Sequence, residues 1–419
     1  MFKNISVIGL GYIGLPTAAM LASKNINVVG VDTEIQVVNT INEGKIHIKE
    51  PDLAEIVKDT VKNGFLKASL TPVPSDAFLI AVPTPFINQK SKIPEPNLEF
   101  IKAAASSIAN VLKREDLIIL ESTSPVGTSE KLSIWLSEIR PDLSFPHQAG
   151  SSADINIAYC PERVLPGKIV RELIENDRVI GGISEKCSEK ALELYKIFVE
   201  GECVITNAKT AEMSKLTENS CRDVQIAFAN ELSVICETLD IDVWELISLA
   251  NRHPRINILQ PGPGVGGHCI AVDPWFIASS DPHNSKIIQI ARNVNDAKPD
   301  WVVNKAKIEI DKIIKSGTKS NEKDITVACF GLTFKADIDD LRESPALKIA
   351  TDIIKFHKGN VVVVEPNVIN SKVEMFDLVD IEYATKIADI GILLVDHIQF
   401  KEFGKPNIPI IIDTRGIWS

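Results

Sequence analysis

No two of the seven cysteines in this chain form a CxxC pair, and their positions (160, 187, 203, 221, 236, 269 and 329) follow no regular spacing. An odd, unpatterned set excludes a disulfide framework, and it points to reduced thiols in a cytoplasmic protein with no metal centre. Basic residues are also in short supply: 45 Lys and Arg stand against 56 Asp and Glu, a formal net charge of −11. That balance argues against a general nucleic-acid binder, and any anionic substrate has to be met by local clusters of cations. Residues 4–23 lack charge altogether, but Gly9, Gly11, Gly14 and Pro16 break a stretch that begins like a strand. Neither a targeting segment nor association with a membrane is expected. The sequence has no low-complexity tract, and no internal repeat beyond an alternation of strands and helices in two regions.

What is present is ordinary for a folded chain. Hydrophobic residues make up 45% and charged residues 24% of 419 positions, which is too long for one core and predicts two or three domains.

Ile5-Ser6-Val7-Ile8 reads as a buried strand and leads into Gly9-Leu10-Gly11-Tyr12-Ile13-Gly14. A helix to about Ser23 follows, then a strand Val28–Val31 ending on Asp32. This is GxGxxG inside a βαβ unit. The glycines permit a tight turn, close approach of a pyrophosphate to backbone N–H groups, and contact of helix with strand. Asp32 would accept hydrogen bonds from a ribose hydroxyl and repel a 2′-phosphate, which favours NAD over NADP. Further apolar runs end on polar residues: Phe78–Val82 on Pro83-Thr84-Pro85, Leu117–Leu120 on Glu121-Ser122-Thr123, and Ile157–Cys160 on Pro161-Glu162-Arg163. Ligands of open parallel sheets bind beyond the carboxyl ends of the strands, so Thr84, Thr123 and Glu162 are expected to face one crevice with Gly11.

From Thr210 to about Leu239 the period becomes helical over one long element. Lys215, Asn219, Arg222 and Asp223 fall on one face near its start. A second helix from Val243 to about Ala250 ends at Asn251-Arg252-His253-Pro254-Arg255. Next comes Pro261-Gly262-Pro263-Gly264-Val265-Gly266-Gly267-His268-Cys269-Ile270-Ala271-Val272-Asp273-Pro274. So many glycines let a backbone approach a ligand closely at an entropic cost. On its own the loop is equally compatible with a tight turn around a buried, inert cysteine. Ser285 to about Lys315 reads as helix interrupted near Lys298-Pro299-Asp300. A polar linker, 316–324, then opens a second α/β region with strands at 325–330, 361–364, 390–395 and 408–412. This region lacks GxGxxG; its first strand leads to Gly331-Leu332-Thr333-Phe334-Lys335 and Asp339–Pro345. The expected fold class is α/β: two Rossmann-like parallel-sheet domains (1–205 and 316–419) joined by a central helical domain (206–315) with one long helix.

Taken together, these residues identify the chain as resembling the UDP-glucose/GDP-mannose dehydrogenase family over essentially its whole length. The resemblance rests on Ala81–Phe86, Tyr159–Gly167, Ala211–Asn219, Asn251–Arg255, the cysteine loop and Phe334–Pro345. It implies NAD-dependent oxidation of the C6 hydroxyl of a nucleotide sugar to a carboxylate, supplying bacterial surface polysaccharide. It implies Cys269 as the nucleophile, Lys215 or Asp273 as the base for the hydroxyl, Glu162 as the base for water, and Asn219 and Thr123 as further catalytic groups. Gly9, Gly11, Tyr12, Ile13, Gly14, Asp32, Thr84, Thr123 and Arg342 would hold NAD. Arg163, Val164, Lys215, Asn219, Arg222, His253, Arg255, Gly266, Phe334, Lys335 and Arg415 would hold the UDP-sugar. Arg255 would reach a neighbouring subunit's site, so a homodimer or larger oligomer is expected, and His268 is expected to be structural. Ile270-Ala271-Val272 stands where glucose enzymes typically carry Phe-Pro-Lys, and Arg163-Val164 where they usually carry Phe-Leu. Both departures resemble enzymes for N-acetylated hexosamines without separating the manno from the gluco epimer, and UDP-N-acetylglucosamine and UDP-glucose are the alternative substrates. More distant readings are a two-electron β-hydroxyacid dehydrogenase, which needs no Cys269, and a non-catalytic NAD-binding protein.

Overall fold

A computed structural model describes residues 2–418 except 49, 88–92, 166, 268, 369–372 and 374. The chain divides into two compact units. The first comprises Met1–Thr217 with Ser279–Pro282, and the second Glu218–Ala278 with His283–Ser419.

The first unit is built on eight strands: β1 (Asn4–Ile8), β2 (Asn27–Val31), β3 (Leu66–Ser69), β4 (Ala77–Ile80), β5 (Leu117–Leu120), β6 (Asn156–Tyr159), β7 (Arg178–Gly182) and β8 (Cys203–Asn207). Their order is β3-β2-β1-β4-β5-β6-β7-β8. The central strands β4, β5 and β6 are buried at every residue, as expected where helices cover both faces of a parallel sheet. Alternation then sorts the side chains: Leu117 and Ile119 enter the core on one face, Ile118 and Leu120 the core on the other. The order reverses direction between β1 and β4, which opens a crevice at their carboxyl ends.

One pair departs from the parallel pattern expected of this sheet. β6 and β7 are antiparallel, with Ala158 opposite Gly182 and Tyr159 opposite Gly181. Continuing that register three residues past Tyr159 sets Arg178 opposite Glu162. The reversal therefore delivers a cation to the carboxyl end of the sheet, where a parallel β7 would have buried it at the other end.

The second unit holds β9 (Thr326–Phe330), β10 (Asn360–Val364), β11 (Asp377–Leu378), β12 (Ile390–Leu393) and β13 (Ile410–Asp413), ordered β11-β10-β9-β12-β13 and wholly parallel. It repeats the first five strands of the first unit in order, and the repeat extends to its opening turn. Gly9 (φ +93°) and Gly331 (φ +95°) both adopt the left-handed conformation. Each donates its N–H to the last carbonyl of the next strand, Val31 or Val364, at 2.8 Å. The following N–H, of Leu10 or Leu332, goes to a carboxylate beyond that strand, Asp32 (2.9 Å) or Glu365 (2.6 Å). The sequences share too little to reveal this repeat.

Two long helices complete the fold. Ala208–Thr238 runs 31 residues and Lys286–Lys315 runs 30. The second is not interrupted at Pro299: it continues through the proline, which is buried together with Lys298, Val302 and Val303. Packing along the helix outweighs the single backbone hydrogen bond that proline removes. Within the first unit, the start of the 208–238 helix is fixed by Glu212. Its buried carboxylate accepts the N–H groups of Gly127 (2.5 Å) and Ser129 (2.8 Å) and the Ser129 hydroxyl (2.7 Å), capping the helix Thr128–Ile139. Glu212→Ala would strand those donors and is expected to destabilise the first unit by about 2–3 kcal/mol. The check is amide hydrogen exchange, which should accelerate first in residues 128–139.

Candidate active site

The three glycines of the first turn do different work. A Cβ on Gly9 would lie 2.5 Å from the Ala81 carbonyl oxygen, and one on Gly14 would lie 1.8 Å from the Gly9 carbonyl oxygen. Gly9 is forced by packing of the turn against the exit of β4, and Gly14 by packing of the turn against itself. A Cβ on Gly11 would meet nothing within 4 Å among the described residues, so its missing side chain serves no contact with them. It leaves room for a ligand to reach the backbone at the start of the helix Gly14–Ser23, whose first residues have no side-chain cap. Such N–H groups favour an anion. Asp32 spends one lone pair of each oxygen on the turn, accepting from Leu10 and from the Glu34 N–H (3.0 Å), and retains others for a ribose hydroxyl. The residues fit a dinucleotide. Tyr12 is exposed beside Gly11, and Ile13 is half-buried.

At the neighbouring strand ends, the Thr84 hydroxyl donates to the Thr123 carbonyl (2.6 Å), which ties the β4 and β5 exits together. Glu162 is buried beyond β6. Its Oε2 accepts from Arg178 Nη1 at 2.5 Å and its Oε1 from the Arg163 N–H at 2.8 Å. Arg163 Nη2 reaches the Asp177 carbonyl (2.5 Å), and Val164 packs against the core. Lys215 is half-buried on the long helix, three residues beyond the Glu212 anchor.

In the second unit the glycine loop threads between partners that admit no side chain. A Cβ on Gly266 would lie 2.5 Å from the Glu343 carbonyl oxygen and 2.8 Å from Phe334 Cβ. One on Gly267 (φ +81°) would lie 2.9 Å from the Phe334 ring, and its N–H donates to the Arg342 carbonyl (3.1 Å). Gly262 lies against Arg415, whose guanidinium is held by Asp396 at 2.7 Å. The loop then turns at Cys269, whose carbonyl accepts the N–H groups of Val272 (3.0 Å) and Asp273 (2.8 Å). Cys269 is exposed, so the alternative of a turn around a buried thiol does not hold. Asp273 is buried, and its Oδ2 accepts from Asn219 Nδ2 at 2.5 Å.

The structure thus brings together Asn219, Cys269 and Asp273, and separately Gly266, Phe334 and Arg342. Arg222, His253, Arg255 and Lys335 are exposed. His253 and Arg255 sit on a loop closed at its base by Asn251, which exchanges hydrogen bonds with Ile258 at 2.7 and 2.9 Å. Asp223 does not share the polar face expected for it: it is buried and paired with Arg292 at 2.7 Å. His268 lies outside the described residues.

Several chemistry-bearing residues escaped the sequence reading. Glu121, Arg178 and Tyr195 form a buried polar group behind Glu162, signalled only by a carboxylate at the end of an apolar strand. The second unit also contains a cavity of about 530 Å³ bordered by Ser233, Trp244, Lys298 and Trp301. Burial pushes the Lys298 amine down to about 7.

A dinucleotide turn in one unit and an exposed thiol beside a buried carboxylate in the other define an NAD-dependent oxidoreductase. The chain belongs to the UDP-glucose/GDP-mannose dehydrogenase family. It matches that family's NAD binding domain at residues 3–199, its central domain at 209–297 and its UDP binding domain at 328–419. Over all of its length it is 57% identical to 99% of UDP-N-acetyl-D-mannosamine dehydrogenase from Escherichia coli K12. It is 56% identical, again over all of its length, to 97% of an NDP-N-acetyl-D-galactosaminuronic acid dehydrogenase from Ralstonia nicotianae. Among solved structures, UDP-D-ManNAc dehydrogenase from Pyrococcus horikoshii is 38% identical with a TM-score of 0.85, covering 99% of this chain and 96% of that one. Among the described residues no helix is long and apolar enough to cross a membrane.

The glycine geometry separates two substitutions. Gly11→Val is expected to leave thermal stability near that of the parent while weakening NAD binding at least about tenfold. Gly14→Ala should lower both, because its Cβ has no space. Titration calorimetry beside thermal melts reads the difference.

Proposed function

We propose that the protein is an NAD-dependent UDP-sugar 6-dehydrogenase that converts UDP-N-acetyl-D-mannosamine to the corresponding uronate through a thioester on Cys269. The observation that carries this reading is the exposed thiol of Cys269 with Asp273, one turn on, held in place by Asn219. A two-electron alcohol dehydrogenase has no use for such a thiol. Two NAD molecules in turn, which the Gly9–Gly14 turn and Asp32 would hold, would supply the hydride acceptor for the two oxidations, so that one alcohol and one water give one carboxylate.

The chain's own residues supply the rest. Asp273 or Lys215 takes the proton of the C6 hydroxyl as the alcohol becomes an aldehyde. The Cys269 sulfur adds to that aldehyde carbon, forming a C–S bond and a thiohemiacetal. This keeps the half-oxidised sugar attached and gives carbon an oxygen from which the second oxidation can proceed. Lys215 and Asn219, four residues apart on one helix, offer a cation and an amide to the oxygen as it gains charge. The second oxidation leaves a thioester. Glu162 draws a proton from water, the hydroxide oxygen bonds to the acyl carbon, the C–S bond breaks, and Cys269 leaves as thiolate.

For the substrate, Phe334, Lys335 and Arg415 belong to the region matching the family's UDP binding domain. Ile270-Ala271-Val272 and Arg163-Val164 favour an N-acetylated hexosamine. The mannosamine relatives from several organisms favour the manno sugar, and the near-equal identity to the galactosaminuronate enzyme makes the epimer the point to test. We assign residues 1–205 to the cofactor, 206–315 to catalysis and 316–419 to the nucleotide sugar. Arg255, on its exposed loop, reaches a second copy of the chain in a homodimer.

With UDP-N-acetyl-D-mannosamine the protein should yield two NADH per uronate, and in a panel of UDP-sugars it should prefer that substrate. A yield of one NADH would indicate the two-electron alternative. Cys269→Ser is expected to reduce uronate formation to below about 0.1% while leaving NAD affinity unchanged. Undiminished turnover by that variant would remove the thioester.

A further inference from the structure

Glu162 has a buried neighbour that the reaction as described does not use. Glu121 follows β5 immediately and is 3% exposed. Its Oε1 accepts the Tyr195 hydroxyl at 2.7 Å, and its Oε2, also buried, has no hydrogen-bond partner among the described residues. The groups that face it come from three elements. Glu162 and Cys160 stand beyond β6, Arg178 opens β7, and Tyr195 ends the helix Glu185–Tyr195. The Arg178 guanidinium lies 5.4 Å from the centre of the Tyr195 ring, so the group is contiguous.

Charge in this pocket is unbalanced. Arg178 and Glu162 neutralise one another across their 2.5 Å contact, both nearly without solvent. Burial pushes the Cys160 thiol up to about 12, and burial also raises the Tyr195 phenol, so both are neutral at physiological pH. One carboxylate is left over. An ionised Glu121 would place a second negative charge beside Glu162 with no second cation and no solvent to screen it. Burial first, and the Glu162 charge next, push its carboxyl up to about 7.

We propose that Glu121 is a positioning residue for thioester hydrolysis: it stores a proton beside the Glu162–Arg178 pair, and release of that proton makes Glu162 the stronger base that water activation requires. With Glu121 neutral, the charge in contact with Glu162 is that of Arg178, at 2.5 Å. With Glu121 ionised, the added negative charge favours a proton on Glu162 and offsets the guanidinium. The only bond that breaks in this step is the Glu121 O–H: its electron pair stays on the carboxylate and the proton leaves for solvent. The inference rests on the reading of Glu162 as the hydrolytic base.

Glu121→Gln keeps the shape and the contact with Tyr195 but cannot ionise. With saturating NAD and UDP-sugar, the ratio of parent to variant kcat is expected to rise about fivefold or more between pH 6 and pH 8, with KM unchanged. Tyr195→Phe removes a hydrogen bond that favours the ionised form, so it should move the parent's step to higher pH. A pH-independent ratio in Glu121→Gln, or a step that moves down in Tyr195→Phe, overturns the proposal. Two readouts do not depend on turnover. Difference infrared spectra should contain a buried carboxylic acid C=O band that fades above pH 7 and is absent from Glu121→Gln. Because a raised carboxyl pKa stabilises the folded chain below the unfolded pKa and loses that contribution as pH rises through the folded one, the variant's melting temperature should gain on the parent's from pH 6 to pH 9. If Glu162→Gln hydrolyses the acyl-enzyme at the parental rate, the base assignment and this role fall together. The infrared band distinguishes the two failures: it persists in that case, and is missing if Glu121 never holds the proton.

Discussion

The chemistry of the second unit depends on a backbone pressed against an aromatic ring. Gly266 and Gly267 lie so close to Phe334 that neither position has room for a methyl group, and the Gly267 N–H is bonded to the Arg342 carbonyl. This contact fixes the segment that carries Cys269 to the turn that carries Phe334 and Lys335. A thiol on a freely moving loop would lose the effective concentration that makes its addition to an aldehyde fast. Here the entropy has been removed in advance by sterics, and the glycines are the cost. The carboxylate of Asp273 is fixed by the same economy, through its N–H on the Cys269 carbonyl and its oxygen on Asn219.

The first unit solves a different problem, that of holding charge out of water. Glu212 is neutralised by the N-terminus of a helix and Glu162 by an arginine. The arginine is available only because β7 runs against its neighbours, which turns Arg178 toward the strand ends. Glu121 has a phenol as its hydrogen-bond partner, and the one cation facing it among the described residues, Arg178, is paired with Glu162. A group left in that condition keeps its proton until pH forces it off, which is the property a hydrolytic step can use.

Much of the architecture was legible in the sequence, because its signals are local. GxGxxG with its strand, helix and Asp32 gave the first turn, and apolar runs located most strands to within a residue or two. The helix Val243–Ala250 was legible to the residue, and the cysteine loop announced itself by composition. What stayed hidden is non-local. The reversal of β7 follows from pairing across the sheet, and the burial of Asp223 against Arg292 follows from packing of two helices, so neither leaves a mark in the nearby sequence. Pro299 read as a break, yet apolar contacts on either side carry the helix through it. The repeat of the Gly9–Asp32 turn as Gly331–Glu365 survives in hydrogen bonds after the sequence similarity is gone. In the second turn, buried Thr333 takes the place of open Gly11, and His397 stands 3.3 Å from the equivalent carboxylate, where the first turn leaves Asp32 room for a ribose. One fold thus provides a turn open to a dinucleotide and a turn closed to it.

The central claim is that Cys269 becomes acylated by the sugar during turnover. Its most direct test is peptide mass spectrometry of the intact enzyme quenched in acid while oxidising UDP-N-acetyl-D-mannosamine. The account predicts a peptide carrying the uronyl group as a thioester at Cys269, absent without NAD and enriched in Glu162→Gln. Turnover at the parental rate with no modified peptide at any quench time, and with Cys269 alkylated, would contradict it.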